Sequence, residues 1–231
     1  MLKEEHRQLL VAAAEKIGTE LSPDSVEKFS RYGELLLEWN KVMNLTAVTD
    51  EREIVIKHYV DSLTILPYLD RLHCRTLADI GSGAGFPGIP LKIAFPHLKI
   101  TLLDSLNKRV KWLEEVCTEL HLEGVCCVHG RAEDIGRQAG HREVYDLCVS
   151  RAVANLASLS EYCMPFVKVG GYFIPYKSGE IDEELNQAKK AIGLLGGKLK
   201  SVEKFVLPGT DAARSLVMIE KVKPVSKKFP R

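Results

Sequence analysis

The chain has 231 residues, with 32 Lys and Arg against 31 Asp and Glu, a formal net charge of +1 and 45% apolar residues. That is room for one substantial α/β domain with a small appendage, large enough to bury a core without disulfide or metal staples. A nearly neutral chain projects no global field toward nucleic acid, so any nucleic-acid surface is a local patch, and no apolar run approaches the ~18 residues of a membrane span.

The first residues, Leu2-Lys3-Glu4-Glu5-His6-Arg7, lack the charged-then-apolar layout of a secretory signal, so the protein is expected in the cytoplasm. Leu9, Leu10, Ala13, Ala14 and Ile17 then recur at helical spacing, and Gly18 supplies a stop. Ser22 and Pro23 open a second helix as N-cap and first-turn residue, with an apolar face through Val26, Phe29, Tyr32, Leu36 and Trp39. A third helical stretch runs from Glu51 to Leu69, ending near Pro67. Residues 1–70 are thus expected to form a helical extension packed on a core of residues 71–231.

From Thr76 the rhythm becomes strand, turn, helix. The expected strands are Thr76–Ile80, Lys99–Asp104, Val125–His129, Leu147–Ser150, Tyr172–Tyr176, Leu199–Leu207 and Leu216–Lys221. The clearest helix between them is Ser105 to Leu122, with Leu106, Val110, Leu113, Val116 and Leu120 on one face. Strands alternating with helices predict a mostly parallel sheet covered on both sides. Only the turn-like Pro208-Gly209-Thr210-Asp211 separates the last two strands, which predicts an antiparallel hairpin. A seven-stranded, mostly parallel α/β sheet with such a hairpin points to the Rossmann-like class I S-adenosylmethionine-dependent methyltransferase fold more than to the dehydrogenase variant. The six cysteines form no C-x-x-C pair and no Cys/His cluster of zinc spacing, so they read as reduced cysteines and no metal is expected.

The central signal is Leu77 through Gly88, a buried strand running into a glycine loop with Gly81, Gly83 and Gly85 in G-x-G-x-G spacing. Phe86 stands where the dinucleotide pattern wants its third glycine. Glycine allows positive φ and close approach of backbone to a ligand, although a tight structural turn uses the same residues. Asp79 can hold loop amides or a cofactor amine. Asp104, ending the next strand, can accept both hydroxyls of a ribose, or only favour the following helix N-terminus. Arg131-Ala132-Glu133-Asp134 places an acidic turn after the third strand, able to receive an adenine amino group or to cap a helix. The loop and its acids together point to S-adenosylmethionine, which has no phosphate and needs local acceptors.

After the fourth strand stands Ser150-Arg151-Ala152-Val153. It is neither the Asn/Asp-Pro-Pro-aromatic turn usual in methylation of exocyclic amines nor the Pro-Cys usual in methylation of pyrimidine carbon. The acceptor is therefore expected to be an atom already nucleophilic.

Glu38-Trp39-Asn40-Lys41 with Asn44-Leu45-Thr46, His58 through Leu63, Asp79 through Pro90, Arg131 through Asp134, Ser150 through Val153, and Gly170-Gly171 with Tyr176-Lys177 and Gly179 span nearly the whole chain. In these motifs the chain resembles the bacterial 16S ribosomal RNA guanine-N7 methyltransferases, the small-subunit methyltransferase G or glucose-inhibited division protein B family. The resemblance implies cofactor contacts at Gly81, Phe86, Ala132, Glu133 and Arg151. It also implies a substrate guanine in the decoding-region loop of 16S ribosomal RNA, met as RNA or within the small subunit. The chain is expected to act as a monomer.

Guanine N7 carries an exposed lone pair and no proton, so its methylation needs mainly proximity and alignment. Three residues are catalytic candidates: Arg151, His58 and Asp61. Arg151 can hold the cofactor carboxylate or an RNA phosphate, or serve only in a structural ion pair. His58 and Asp61, at i,i+3 on one helix face, can line the mouth of the site or hydrogen-bond between helices. Phe86 can pack on adenosine, on guanine or in the core. For RNA, Lys223, Lys227, Lys228 and Arg231, with Lys221, form an acid-free basic C-terminal cluster, and Arg7, Lys108, Arg109 and Lys111 are further candidates. A nicotinamide dehydrogenase would need a second catalytic region in a chain nearly used up by one sheet. A non-enzymatic RNA-binding factor would have no use for an intact loop and both acids.

Overall fold

In the computed structural model, which describes residues 2–69 and 71–231, seven strands form one sheet. They are β1 (Thr76–Ile80), β2 (Lys99–Asp104), β3 (Val125–His129), β4 (Tyr145–Arg151), β5 (Val167–Ser178), β6 (Gly197–Val206) and β7 (Ala213–Lys221). Their order is β3-β2-β1-β4-β5-β7-β6. The first five are mutually parallel, and β7 runs antiparallel between β5 and β6, as the short connection before it predicts. The chain order reverses between β1 and β4, which makes the carboxyl ends of those strands the place for a ligand. β4 and β5 are longer than expected. Gly170 and Gly171 lie inside β5, where the register against β4 shifts.

Side chains alternate between the two faces. Leu77, Ile100, Leu102, Leu147 and Val149 enter one apolar cluster. Ala78, Ile80, Leu103, Cys148 and Phe173 enter the other. The first cluster also holds Leu10 of α1 (Glu4–Ile17), Phe29, Tyr32 and Leu36 of α2 (Pro23–Met43), and Trp112 of α7 (Asn107–Glu119). The N-terminal helices therefore share one core with the sheet; the expected boundary at residue 70 lies outside the described residues. Ser22 caps α2 by accepting from Ser25 N, and Gly18 ends α1 with φ 89°, as their residue types require.

The third helical stretch is interrupted. It comprises α3 (Glu51–Ile54), a π-helical stretch (Val55–Val60), α4 (Asp61–Leu63) and, after a turn, α5 (Leu66–Leu69). Pro67 has no N–H to continue the ladder, so it sits in the first turn of α5 instead of ending a single helix. The π-helical stretch adds a wide turn that places both His58 and Asp61 toward the sheet's carboxyl edge. Helix α7 starts at Asn107, leaving Leu106 outside it and 43% exposed. The remaining helices are α6 (Gly88–Ala94), α8 (Ala132–Ile135), α9 (Leu156–Cys163) and α10 (Asp182–Leu194).

The basic C-terminus is docked, not free. Lys221 is fully buried: its Nζ donates to Met164 O and Val167 O and pairs with Glu143 at 2.9 Å, so it cannot reach a phosphate. Arg142 donates to the carbonyls of Val225 and Phe229, and Arg137 to that of Pro230. Arg231 pairs with Glu161, while Val225 and Phe229 are buried in the second cluster. Because β7 is antiparallel, this tail leaves the sheet at the edge opposite the carboxyl ends of β1 and β4. Lys223, Lys227 and Lys228 are exposed there with Arg231. Arg7 is likewise committed, to Glu27 and Leu2 O.

The tail is thus a structural clip. Deleting residues 225–231 removes the buried Val225 and Phe229, worth about 1.5–3 kcal/mol each. It should lower the melting temperature by roughly 6–24 °C, at about 2–4 °C per kcal/mol for a chain of this size. Calorimetric melting of the truncated chain checks this; an unchanged transition would show that the tail does not hold the second core.

Candidate functional site

A cavity of about 790 Å³ opens at the carboxyl edge of the sheet. Its wall takes Gly81, Gly83 and Phe86 from the loop after β1, Asp104 and Leu106 from the end of β2, Arg151 and Val153 after β4, and Lys177 from β5. The N-terminal segment adds Thr46, Lys57, His58 and Asp61, and β7 adds Arg214. Two segments far apart in sequence thereby close a site laid out by the sheet.

The glycine loop is held on several sides. Gly81 and Ser82 donate from their amides to Leu103 O at 2.8 and 3.0 Å. The Ala84 carbonyl accepts from Tyr32 Oη at 2.7 Å and from Trp112 Nε1 at 3.0 Å. All three loop glycines have positive φ, but they serve different ends. At Gly85 a Cβ would lie 2.7 Å from Tyr32 Oη and 2.5 Å from Ile89 Cδ1, so this glycine lets α2 approach and does not line the cavity. At Gly83 a Cβ would meet nothing nearer than Gly81 O at 3.9 Å, so its backbone is bare toward the cavity.

The two loop acids part company. Asp104 lines the cavity. Its Oδ1 accepts from Leu106 N and its Oδ2 from Gly83 N, both at 2.9 Å. Each carboxylate oxygen keeps a lone pair, which suits a vicinal diol. Asp79 is wholly buried behind the loop and does not line the cavity. Its Oδ2 accepts from Gly88 N at 2.9 Å, and its Oδ1 has no partner. Of the two roles open to Asp79, the geometry matches the loop-amide one.

At the other side of the cavity, Asp61 is buried between two guanidiniums. Arg151 Nη1 donates to its Oδ2 and Arg214 Nε to its Oδ1, each at 2.9 Å. Arg151 also lies over the Phe86 ring at 5.1 Å, and His58 stacks on that ring with centroids 4.4 Å apart. Burial, and then the Arg151 charge, push the His58 imidazole down to about 3. It is therefore neutral throughout the physiological range and a weak base. Ala152, next to Arg151, has φ 57°, a conformation that costs a non-glycine residue roughly 1–2 kcal/mol and concentrates at functional sites.

Of the residues singled out in the sequence, Gly81, Gly83, Phe86, Asp104, Arg151, His58 and Asp61 meet in this cavity. Ala132 and Glu133 lie in α8, outside the cavity wall but next to it: β3, which leads into α8, pairs its His129 with Asp104. Glu133 there pairs with Arg131 at 3.0 Å. Lys223, Lys227, Lys228 and Arg231 are at the opposite edge, so RNA held by them would be held away from the cavity. Sequence reasoning missed Arg214, Lys57 and Lys177 on the wall. Arg214 reaches it only because β7 runs backward and sets Arg214 beside Ser178. Among the described residues, no group of three or more His, Cys, Asp or Glu could hold a metal, and no helix is long and apolar enough to cross a membrane.

Sheet order, loop and cavity define the fold as that of the class I S-adenosylmethionine-dependent methyltransferases. A mutant of MtNAS in complex with S-adenosylmethionine superposes with a TM-score of 0.57 at 15% identity, over 94% of this chain and 78% of that one. The sequence is more specific: the family model for rRNA small subunit methyltransferase G (GidB) matches residues 25–217, and the chain belongs to that family. Ribosomal RNA small subunit methyltransferase G of Lachnoclostridium phytofermentans is 51% identical over 93% of this chain and 89% of its own. The protein of the same name from Alkaliphilus metalliredigens is 49% identical over 98% and 95%.

Asp79 gives the site a pH signature. Burial raises its carboxyl from 3.8 to about 7. An acid raised in the folded state binds its proton more tightly there, so its contribution to stability is complete below about pH 3.8 and is lost as pH rises through about 7. At about 1.4 kcal/mol per unit the loss amounts to about 4 kcal/mol at most. The ligand-free protein should melt lower at pH 8 than at pH 5.5, and Asp79→Asn should flatten that slope. A slope unaltered in the variant would place the titration elsewhere.

Proposed function

We propose that this protein transfers a methyl group from S-adenosylmethionine to N7 of a guanine in the decoding-region loop of 16S ribosomal RNA. We further propose that it acts as a cytoplasmic monomer on RNA or on the small subunit. The observation that carries the chemistry is one cavity at the switch point that joins Asp104, the bare backbone of Gly83 and Arg151, with its one described histidine held neutral. Family membership supports the substrate.

The residues present fit the cofactor. Asp104 offers free lone pairs for the ribose hydroxyls, Gly83 leaves room for close approach, and Leu106 gives an apolar surface beside them. Ala132 and Glu133 extend this end of the site toward an adenine, and Asp79 keeps the loop in shape from behind. Bound there, S-adenosylmethionine supplies an electrophilic methyl group. Phe86 and His58 form a flat stacked wall, which suits a purine plane. Arg151 and Arg214, braced on Asp61, are placed to meet a carboxylate or a phosphate. Arg109 and Arg214 lie on the rim of the cavity, with Lys57 and Lys177 paired to Glu53 and Glu184 beside them, and phosphate contacts there would set affinity and its salt dependence.

N7 has no proton to lose, and His58 is neutral far above its own titration. The single-turnover rate on small subunits lacking the modification should therefore be flat between about pH 6 and 9, and stay flat, at a modestly lower level, in His58→Gln. Tritium transfer with mapping of the methylated base measures both. A rate rising tenfold per pH unit and abolished in His58→Gln, or methyl found on an exocyclic nitrogen, would refute the N7 reading.

Gly83→Ala puts a methyl group into the open side of the loop at φ 59°. It should fold and lose about tenfold or more in affinity for S-adenosylhomocysteine by calorimetry. Wild-type affinity would mean that the cofactor lies elsewhere.

A further inference from the structure

Thr46 stands in the cavity wall and is held more tightly than a loop residue needs to be. Asn40 clamps its backbone from both sides: Asn40 Nδ2 donates to Thr46 O and Thr46 N donates to Asn40 Oδ1, each at 2.9 Å. Its hydroxyl is equally constrained. Val48 N donates to Thr46 Oγ1 at 3.0 Å, and His58 Nε2 lies 2.8 Å from the same oxygen.

The direction of that second bond follows from Arg151. A guanidinium has only donors, and Arg151 Nη2 lies 3.5 Å from His58 Nδ1, so the Nδ1 lone pair faces it. The Lys57 carbonyl lies beside the same ring and receives Arg151 Nη1 at 3.3 Å, and the geometry gives Nδ1 the Arg151 Nη2 donor as its partner. A neutral imidazole has one N–H, which then resides on Nε2 and is donated to Thr46. Both lone pairs of Thr46 Oγ1 are filled, and only its proton is left to offer to the cavity.

We propose that the Thr46 hydroxyl, fixed as a donor by Val48 and His58, reads O6 of the target guanine. The inference rests on the guanine-N7 reading above and adds the selectivity determinant to it. N7 and O6 lie side by side on one edge of guanine, both acceptors, whereas adenine presents an N6 amino donor in place of O6. A donor-only hydroxyl accepts guanine and meets adenine with donor against donor. A site built to hydrogen-bond a substrate group discriminates strongly against an analogue lacking it. Asn40 and Thr46 then serve one purpose: a rigid arm for one proton.

The test uses small subunits reconstituted with 16S ribosomal RNA in which the target guanine is replaced by 2-aminopurine, which has hydrogen in place of O6. Wild-type kcat/KM in single turnover should fall by about 10–100-fold on this substrate. Thr46→Val should show a similar fall on guanine and no further fall on 2-aminopurine, while Thr46→Ser stays near wild type. Independent, multiplying losses from the two changes would overturn the proposal. Thr46→Val should bind S-adenosylhomocysteine as the wild type does; lost affinity would assign the hydroxyl to the cofactor and overturn it. The wild-type protein gives a check that needs no variant: nitrogen-15 spectra should place the His58 proton on Nε2, and a proton on Nδ1 overturns the proposal. Failure of the wild type to methylate N7 of unmodified subunits would instead remove the reading beneath it.

Discussion

The buried carboxylate of Asp61 is the constraint on which the site depends. It belongs to the N-terminal helical segment, while its two partners, Arg151 and Arg214, belong to the ends of β4 and β7. Its side chain is 5% exposed. A charge so placed is tolerated only when paired, and here it is paired on both oxygens. The two guanidiniums, partly exposed themselves, are in turn fixed in direction by it. Removing one partner of a fully buried pair costs about 3–5 kcal/mol, and less where solvent reaches the arginines. The larger consequence is geometric: Asp61, with the Lys57 carbonyl, holds Arg151 over Phe86 and facing His58.

The same segment also grips the glycine loop. Tyr32 of α2 and Trp112 of α7 share the Ala84 carbonyl, and Gly85 has no Cβ because Tyr32 occupies that space. The helices before the sheet are therefore part of the site's architecture. They bring His58, Asp61 and Thr46 to a cavity whose remaining wall comes from the carboxyl edge of the sheet.

Most of this layout was legible in the sequence where local chemistry decides it. Strand cores announced themselves by apolar runs, α2 by Ser22 and Pro23, and the loop by its glycine spacing next to Asp104. What was not legible depends on distant partners. Lys221 reads as a surface cation, yet the carbonyls of Met164 and Val167 and the Glu143 carboxylate hold it inside. The basic tail reads as free because nothing near it in sequence discloses Arg137 and Arg142 reaching for its carbonyls. Arg214 carries no local sign of function, since only the reversed direction of β7 brings it to the carboxyl edge. The π-helical stretch leaves no mark in an apolar pattern, although it sets where His58 and Asp61 point.

Charge explains why a histidine on this wall is held neutral. Alkylation at N7 leaves the purine with a positive charge, so cationic groups beside the ring oppose the product. In the pose proposed above Arg151 is such a group, and Asp61 offsets it. A protonated His58, stacked on Phe86 and facing the same space, would add a second charge with no carboxylate to offset it. Burial and Arg151 together keep that proton off at any pH the cell reaches. Arg151 thus has two effects of opposite sign on the charge of this wall: its own charge, mostly cancelled, and the suppression of another. The second persists while the Arg151–Asp61 pair is intact, because the pair fixes the guanidinium within 3.5 Å of Nδ1. Neutrality at this wall thus rests on burial first and on the guanidinium held by the ion pair second, and needs no residue dedicated to it.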